Sequence, residues 1–208
     1  LEAKAMKKIY EILFQGFKFE EILYPRKDSK TFNFGRANWV SKQSFVNVIF
    51  YPLEEKNFLE LTPKQLILSL EESKYYKNFL SFCNGLIAFS GSITFYGVTT
   101  KFDLEYMTEP VSLINELNGF KNPPLVYIGQ AYYSKEKIGY FVVDKRDFYK
   151  YKYITIDGGE IQILKEWQSI EDLMIYLNKY FKPFLKENGE LKDTKINESI
   201  GNNKIVFR

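Results

Sequence analysis

Five short runs of β-branched and aromatic residues fall between residues 93 and 164, and the last two are separated only by Asp157-Gly158-Gly159-Glu160. An Asp-Gly pair between two such runs closes a tight hairpin, because glycine tolerates the positive φ angles that a two-residue turn needs. A turn of this kind fixes its flanking strands in opposite directions, so this half of the chain predicts an antiparallel sheet. The runs are residues 93–98, 125–129, 139–144, 153–157 and 160–164. A sixth, at 44–51, is closed by Pro52 and reads as a strand upstream of the others.

Helical patterns flank the strands. Ile9, Ile12, Leu13 and Phe17 have helix-like spacing ahead of Pro25, and Thr62-Pro63 reads as a cap with proline at the first helical position before Leu66, Ile67 and Leu70. A second stripe runs through Tyr75, Tyr76, Phe79, Leu80 and Cys83 and stops at Asn84-Gly85. Residues 111–117 fit a short helix ended by Asn118-Gly119. Ser169, with Asp172 three positions on, caps a closing helix through Leu173, Ile175, Tyr176, Leu177 and Phe181 up to Pro183. Helices, then antiparallel strands, then a helix give an α+β fold, a mainly antiparallel twisted sheet with helices packed on one side. Residues 1–5 read as a scar ahead of a native start at Met6, 6–61 as an extension packed on the same core, 62–185 as the main domain and 186–208 as a mobile polar tail. An edge strand at 204–207 is the alternative for the last of these.

The 208 residues include no histidine, which excludes Ser-His-Asp triads, Cys-His dyads, His-ligated zinc and proximal-His haem. The one cysteine, Cys83, forms no intramolecular disulfide, and its place on an apolar helical stripe reads as packing. A formal net charge of +3 is too small to impose a nucleic-acid or membrane partner. No run approaches the roughly 18 apolar residues of a membrane span, and no secretory leader pattern opens the chain, so a cytoplasmic protein is expected. The 19 Phe and 16 Tyr accompany many AT-rich-codon residues, so their number alone does not argue for a stacking site.

Several stretches in order resemble the SUKH superfamily, the fold shared by cell-wall assembly regulators and many bacterial immunity proteins. Tyr75-Tyr76-Lys77-Asn78-Phe79-Leu80-Ser81-Phe82-Cys83-Asn84-Gly85 is similar to the family's helix ending in Asn-Gly, and Ile93-Thr94-Phe95-Tyr96-Gly97-Val98 to the strand after it. Leu125-Val126-Tyr127-Ile128-Gly129 resembles the strand ending in Ile-Gly, and Gly139-Tyr140-Phe141-Val142-Val143-Asp144 the strand carrying an aspartate. Trp167-Gln168-Ser169-Ile170-Glu171-Asp172-Leu173 resembles the start of the last helix. The likeness spans residues 62–182. Where the family often has an acidic Gly-rich segment after the Ile-Gly strand, this chain has Gln130-Ala131-Tyr132-Tyr133-Ser134. The first 60 residues have no counterpart in the pattern. The resemblance implies a non-enzymatic binding protein with no cofactor, no metal site and no catalytic residue, whose partner is a toxin domain, often a nuclease.

On this reading Tyr132, Tyr133, Asp144, Glu160 and Trp167 line or border the partner-binding face, since tyrosine gives stiff contact area with a polar tip. The acidic surplus of Asp157, Glu160, Glu166, Glu171 and Asp172 over Lys165 suits a basic partner, although Glu171 and Asp172 are equally explained by the helix dipole. The alternative is a nucleic-acid-binding or regulatory protein using residues 26–42. There Arg26, Lys27, Lys30, Arg36 and Lys42 face only Asp28 and are interleaved with Phe32, Phe34 and Trp39. That stretch also fits a twisted hairpin with aromatic and solvated faces. A second basic stretch, Lys135, Lys137, Lys145, Arg146, Lys150 and Lys152, reads as a solvated hairpin face. A third functional reading is a hydrolase in which Asp144, Asp147, Asp157 and Glu160 converge at one end of the sheet.

Overall fold

Asp157 and Glu160 are cross-strand partners, and Gly158 and Gly159 between them have φ of +58° and +87°. This left-handed geometry strains any residue with a Cβ, which is why the turn is written in glycine. The computed structural model describes residues 12–17, 21–23, 31–34, 47–50, 85–89, 91–97, 125–134, 136–147, 149–187, 192, 199–200 and 204–207. The helices expected at 62–83 and 111–117, with Cys83, lie outside them.

The described strands are β1 (Glu21–Leu23), β2 (Thr31–Phe34), β3 (Asn47–Phe50), β4 (Leu86–Ala88), β5 (Ile93–Phe95), β6 (Leu125–Tyr132), β7 (Ile138–Asp144), β8 (Lys150–Asp157) and β9 (Glu160–Trp167). They form one sheet in sequence order, every neighbour antiparallel. Helix α1 (Ile170–Phe181) follows, with a 3-10 turn at Lys182–Phe184 and a small separate pair, β10 (Ser199–Ile200) and β11 (Lys204–Ile205). The architecture is α+β.

Strand register assigns the faces, since residues paired across strands point the same way. Phe95, Gly129, Phe141, Tyr153 and Lys165 make one row, and Val126, Val143, Tyr151 and Trp167 the next. Helix α1 covers this face. Ser169 starts it as expected: its Oγ accepts from the Asp172 N–H at 3.1 Å and donates to Asp172 Oδ2 at 2.8 Å. Leu173, Met174, Leu177 and Phe181 are its buried stripe. Asn178, also buried, donates to the carbonyls of Leu13 and Gln15 at 2.8 and 3.1 Å, tying residues 12–17 to the helix. Leu13 and Phe14 are buried there, and the Phe14 and Phe17 rings lie 5.7 and 6.0 Å from Phe89, which stacks on Phe181 at 4.5 Å.

The chain terminus departs from the expected mobile tail. Ile205, Val206 and Phe207 are buried because this short apolar run enters the gap between sheet and helix. Phe207 lies 4.8 Å from the rings of Tyr153 and Tyr180, 5.6 Å from Phe141, 5.9 Å from Phe181 and 6.0 Å from Tyr176. The backbone is held on both sides. Phe207 N–H donates to Tyr132 O at 2.7 Å, Tyr180 Oη to Val206 O at 2.8 Å, and Ile205 N–H to Ser92 Oγ at 2.7 Å. Phe207→Ala removes a fully enclosed ring and is expected to cost about 3–5 kcal/mol in urea unfolding, with m unchanged. Gly139→Ala is expected to destabilise by the opposite fault, overpacking, because a Cβ there would overlap the Tyr153 ring and hydroxyl. The same unfolding curves measure it.

Candidate functional site

The two ends of the β6–β9 hairpins differ in chemistry. At the end near α1's start, Leu125 pairs with Asp144, Asp144 with Lys150, and Lys152 with Glu166. Asp144 and Lys152 are only 4% and 5% exposed. Lys152 Nζ lies 3.1 Å from Asp144 Oδ2 and 2.8 Å from Asp147 Oδ2, while Asp144 Oδ1 accepts from Arg146 N at 3.0 Å and Arg146 Nε at 3.3 Å. Lys150 adds contacts of 3.2 Å to Asp147 and 3.9 Å to Glu166. Burial alone would raise the Asp144 pKa, but hydrogen bonds from Arg146 and Lys152 and the Lys152 charge outweigh it and hold the carboxyl below its ordinary value. Hydrogen bonds from Lys152 and Lys150 lower Asp147 likewise. Burial disfavours the Lys152 ammonium, yet its bonds to Asp147 and Asp144 leave its pKa raised.

The opposite end is open and apolar. Tyr132 pairs with Ile138, Ile156 with Ile161, and Ile154 with Ile163; extending the β7–β8 register by two residues sets Ile138 beside Ile156. Ile138, Ile156, Ile161 and Ile163 are 38, 37, 45 and 52% exposed, and all lie on the face away from α1. Tyr132 and Tyr133 are part-exposed beside this row, Tyr133 resting against the core. Their loop is closed by Ser134, whose Oγ accepts from the N–H groups of Lys137 and Glu136 at 3.0 and 3.3 Å. Lys137 Nζ reaches Asp157 Oδ2 at 2.9 Å. The cleft bordered by Ser92, Thr94, Gln130, Tyr132 and Ile138 has about 10 Å³ of free volume, room for a single water. Among the described residues this end offers a surface rather than a pocket.

The five candidate residues therefore do not share one face. Tyr132, Tyr133 and Glu160 lie at the open end; Asp144 and Trp167 lie at the other, six residues along β7, or about 20 Å away. Trp167 is 8% exposed and packs against Tyr176 at 5.4 Å and Phe141 at 6.4 Å, so it serves the core. Asp144 is committed to its buried ion pair. The proposed meeting of Asp144, Asp147, Asp157 and Glu160 is likewise divided between the two ends, and Lys152 stands between the first two. Several cations of the second basic stretch are paired within the chain, and Lys152 is buried instead of solvated. Of residues 26–42 only the backbone of β2 is described, and the remainder of that alternative lies outside. Among the described residues no group of three His, Cys, Asp or Glu side chains is placed to hold a metal. No described helix is long and apolar enough to cross a membrane. The exposed isoleucines were missed in sequence because alternation at Ile161-Gln162-Ile163 announces a two-faced strand without saying which face is covered.

No family model, curated protein or solved structure matches the chain.

Asp144→Asn leaves a buried ammonium with one carboxylate and is expected to cost about 3 kcal/mol at pH 7 by denaturant unfolding. Because the folded Asp144 pKa lies below the ordinary carboxyl value, the wild-type advantage is complete above that ordinary value. It is lost as pH falls through the folded value, so unfolding curves of the two proteins converge in acid.

Proposed function

We infer that this chain is a SUKH-like binding protein, a cytoplasmic bacterial immunity protein that masks a toxin domain by covering it. The observation that carries the reading is the order of the motif-bearing segments. Residues 93–98, 125–129 and 139–144 contribute to the consecutive antiparallel strands β5, β6 and β7, and 167–173 opens the helix packed on them. The chemistry of the open end supports it further. A rigid hairpin platform, two tyrosines and a rim of part-exposed isoleucines suit macromolecular contact, where stiff aromatic area contributes binding at low entropic cost. The exposed Glu160 adds acidic character suited to a basic nuclease. Masking requires no proton relay, cofactor or metal from this protein. Tyr132, Tyr133 and Glu160 remain as contact residues, whereas Asp144 and Trp167 act through the fold.

The test is binding of the purified chain to the carboxy-terminal domain of the large secreted protein encoded beside its gene, followed by calorimetry and a toxicity assay. A tight complex that abolishes toxicity is expected. Tyr132→Ala combined with Tyr133→Ala is expected to weaken it by about tenfold or more while shifting Tm little, since both side chains are only part-buried. Full protection by that double variant, or no complex with the neighbouring product, overturns the reading.

A further inference from the structure

Strand β9 ends the sheet. Its inner edge pairs with β8, and among the described residues nothing pairs with its outer edge. An eight-residue edge strand presents a row of backbone donors and acceptors to any other strand, and proteins usually blunt such an edge with a bulge or a lysine. Here those devices occupy only the second half. The register passes from Tyr153↔Lys165 to Ile154↔Ile163, so Leu164 is the extra residue of a bulge and Lys165 follows it. The first half, Glu160 to Ile163, is unguarded, exposed throughout, and carries the two most exposed isoleucines among the described residues.

The unguarded segment is complementary to itself. Ile161-Gln162-Ile163 reads the same in both directions, so an antiparallel copy centred on Gln162 sets Ile161 against Ile163 twice and Gln162 against its own counterpart. The two amides satisfy each other as donor and acceptor. Glu160 then faces the bulged Leu164-Lys165 pair of the second copy, which brings opposite charges together and places no like charges directly across the junction. The symmetry axis stands perpendicular to the sheet, so both copies turn their helices to one side and their isoleucines to the other. The four β9 isoleucines join the two Ile156 side chains in a continuous apolar strip, while the Tyr132 and Tyr133 loops lie outward of the junction.

We propose that the chain forms a two-fold dimer through antiparallel pairing of β9 with β9 of a second copy, centred on Gln162. The occupant is a second copy because the palindromic isoleucines and the Glu160–Lys165 complement are properties of β9 itself. This assembly shares Glu160 and the β9 isoleucines with the toxin reading, but it is measured on the free chain without a toxin, so the two readings fail separately.

Sedimentation velocity of the full chain over a broad concentration range tests it. The expected result is a reversible species of twice the 24.6 kDa chain mass. Ile161→Lys with Ile163→Lys is expected to weaken association by about tenfold or more while leaving Tm near wild type, because both side chains are solvent-facing in the single chain. In a Cys83→Ser background, Gln162→Cys is expected to form a disulfide-linked dimer on mild oxidation faster than Ile175→Cys, a control at an exposed position on α1. A monomer at every concentration overturns the proposal. So does a dimer indifferent to the two lysines, or cross-linking at residue 162 no faster than at 175.

Discussion

Helix α1 is held to the sheet by rings, and Phe207 is the ring that most of the others touch. It enters after the helix and the sheet edges are complete in sequence, and it meets Phe141 and Tyr153 below and Tyr176, Tyr180 and Phe181 above. Phe and Tyr are stiff and large, so one such residue fills a volume that would otherwise need several aliphatic chains with more rotamer freedom to lose. The constraint extends inward through Gly139. Its missing side chain leaves room for the Tyr153 hydroxyl, which shares its proton between the carbonyls of Ala131 at 3.3 Å and Phe207 at 3.4 Å. A small residue on β7, a tyrosine on β8 and the last ring of the chain thus act as one unit.

The same sheet resolves charge and exposure in opposite ways at its two ends. At one end a lysine is taken out of water, which is tolerable only because two carboxylates meet it and Arg146 satisfies the remaining lone pairs of Asp144. Such an arrangement contributes little net stability relative to an apolar substitute, but it penalises any register of β7 against β8 that separates the partners. At the other end four isoleucines remain in water at a cost that the fold does not recover internally. This apolar row is the surface that the proposed contacts would cover.

Legibility from the sequence follows the range of the interaction involved. The Asp157–Glu160 hairpin and the Ser169 cap depend on residues within three positions of each other, and both stand where the sequence puts them. The strands β6 to β9 were visible as well, though one to three residues shorter than they are, because pairing carries a strand beyond its apolar run. β4 was not visible: three residues after Gly85 give no period. Trp167, Lys152 and Phe207 were misjudged for a shared reason. Each looks like a surface residue in its local neighbourhood, beside charges or within a polar tail, and each is buried by residues 5 to 66 positions away, namely Tyr176 for Trp167, Asp144 and Asp147 for Lys152 across its own hairpin, and Phe141 for Phe207. Burial of that kind is a property of the tertiary packing and leaves no periodic trace.

The bulge at Leu164 connects these observations. On its α1 side it swings Lys165 over the Tyr176 ring, 5.0 Å from the centroid, and brings Trp167 down into the core. On its turn side, alternation reverses, so Ile161 and Ile163 point away from the helix. Without the extra residue a regular β9 would carry the isoleucines and Trp167 on the same face, and the strand would have to expose the tryptophan or bury the whole row. One inserted residue lets a single strand close the core with its second half while its first half, whose outer side no described residue pairs with, keeps its isoleucines exposed.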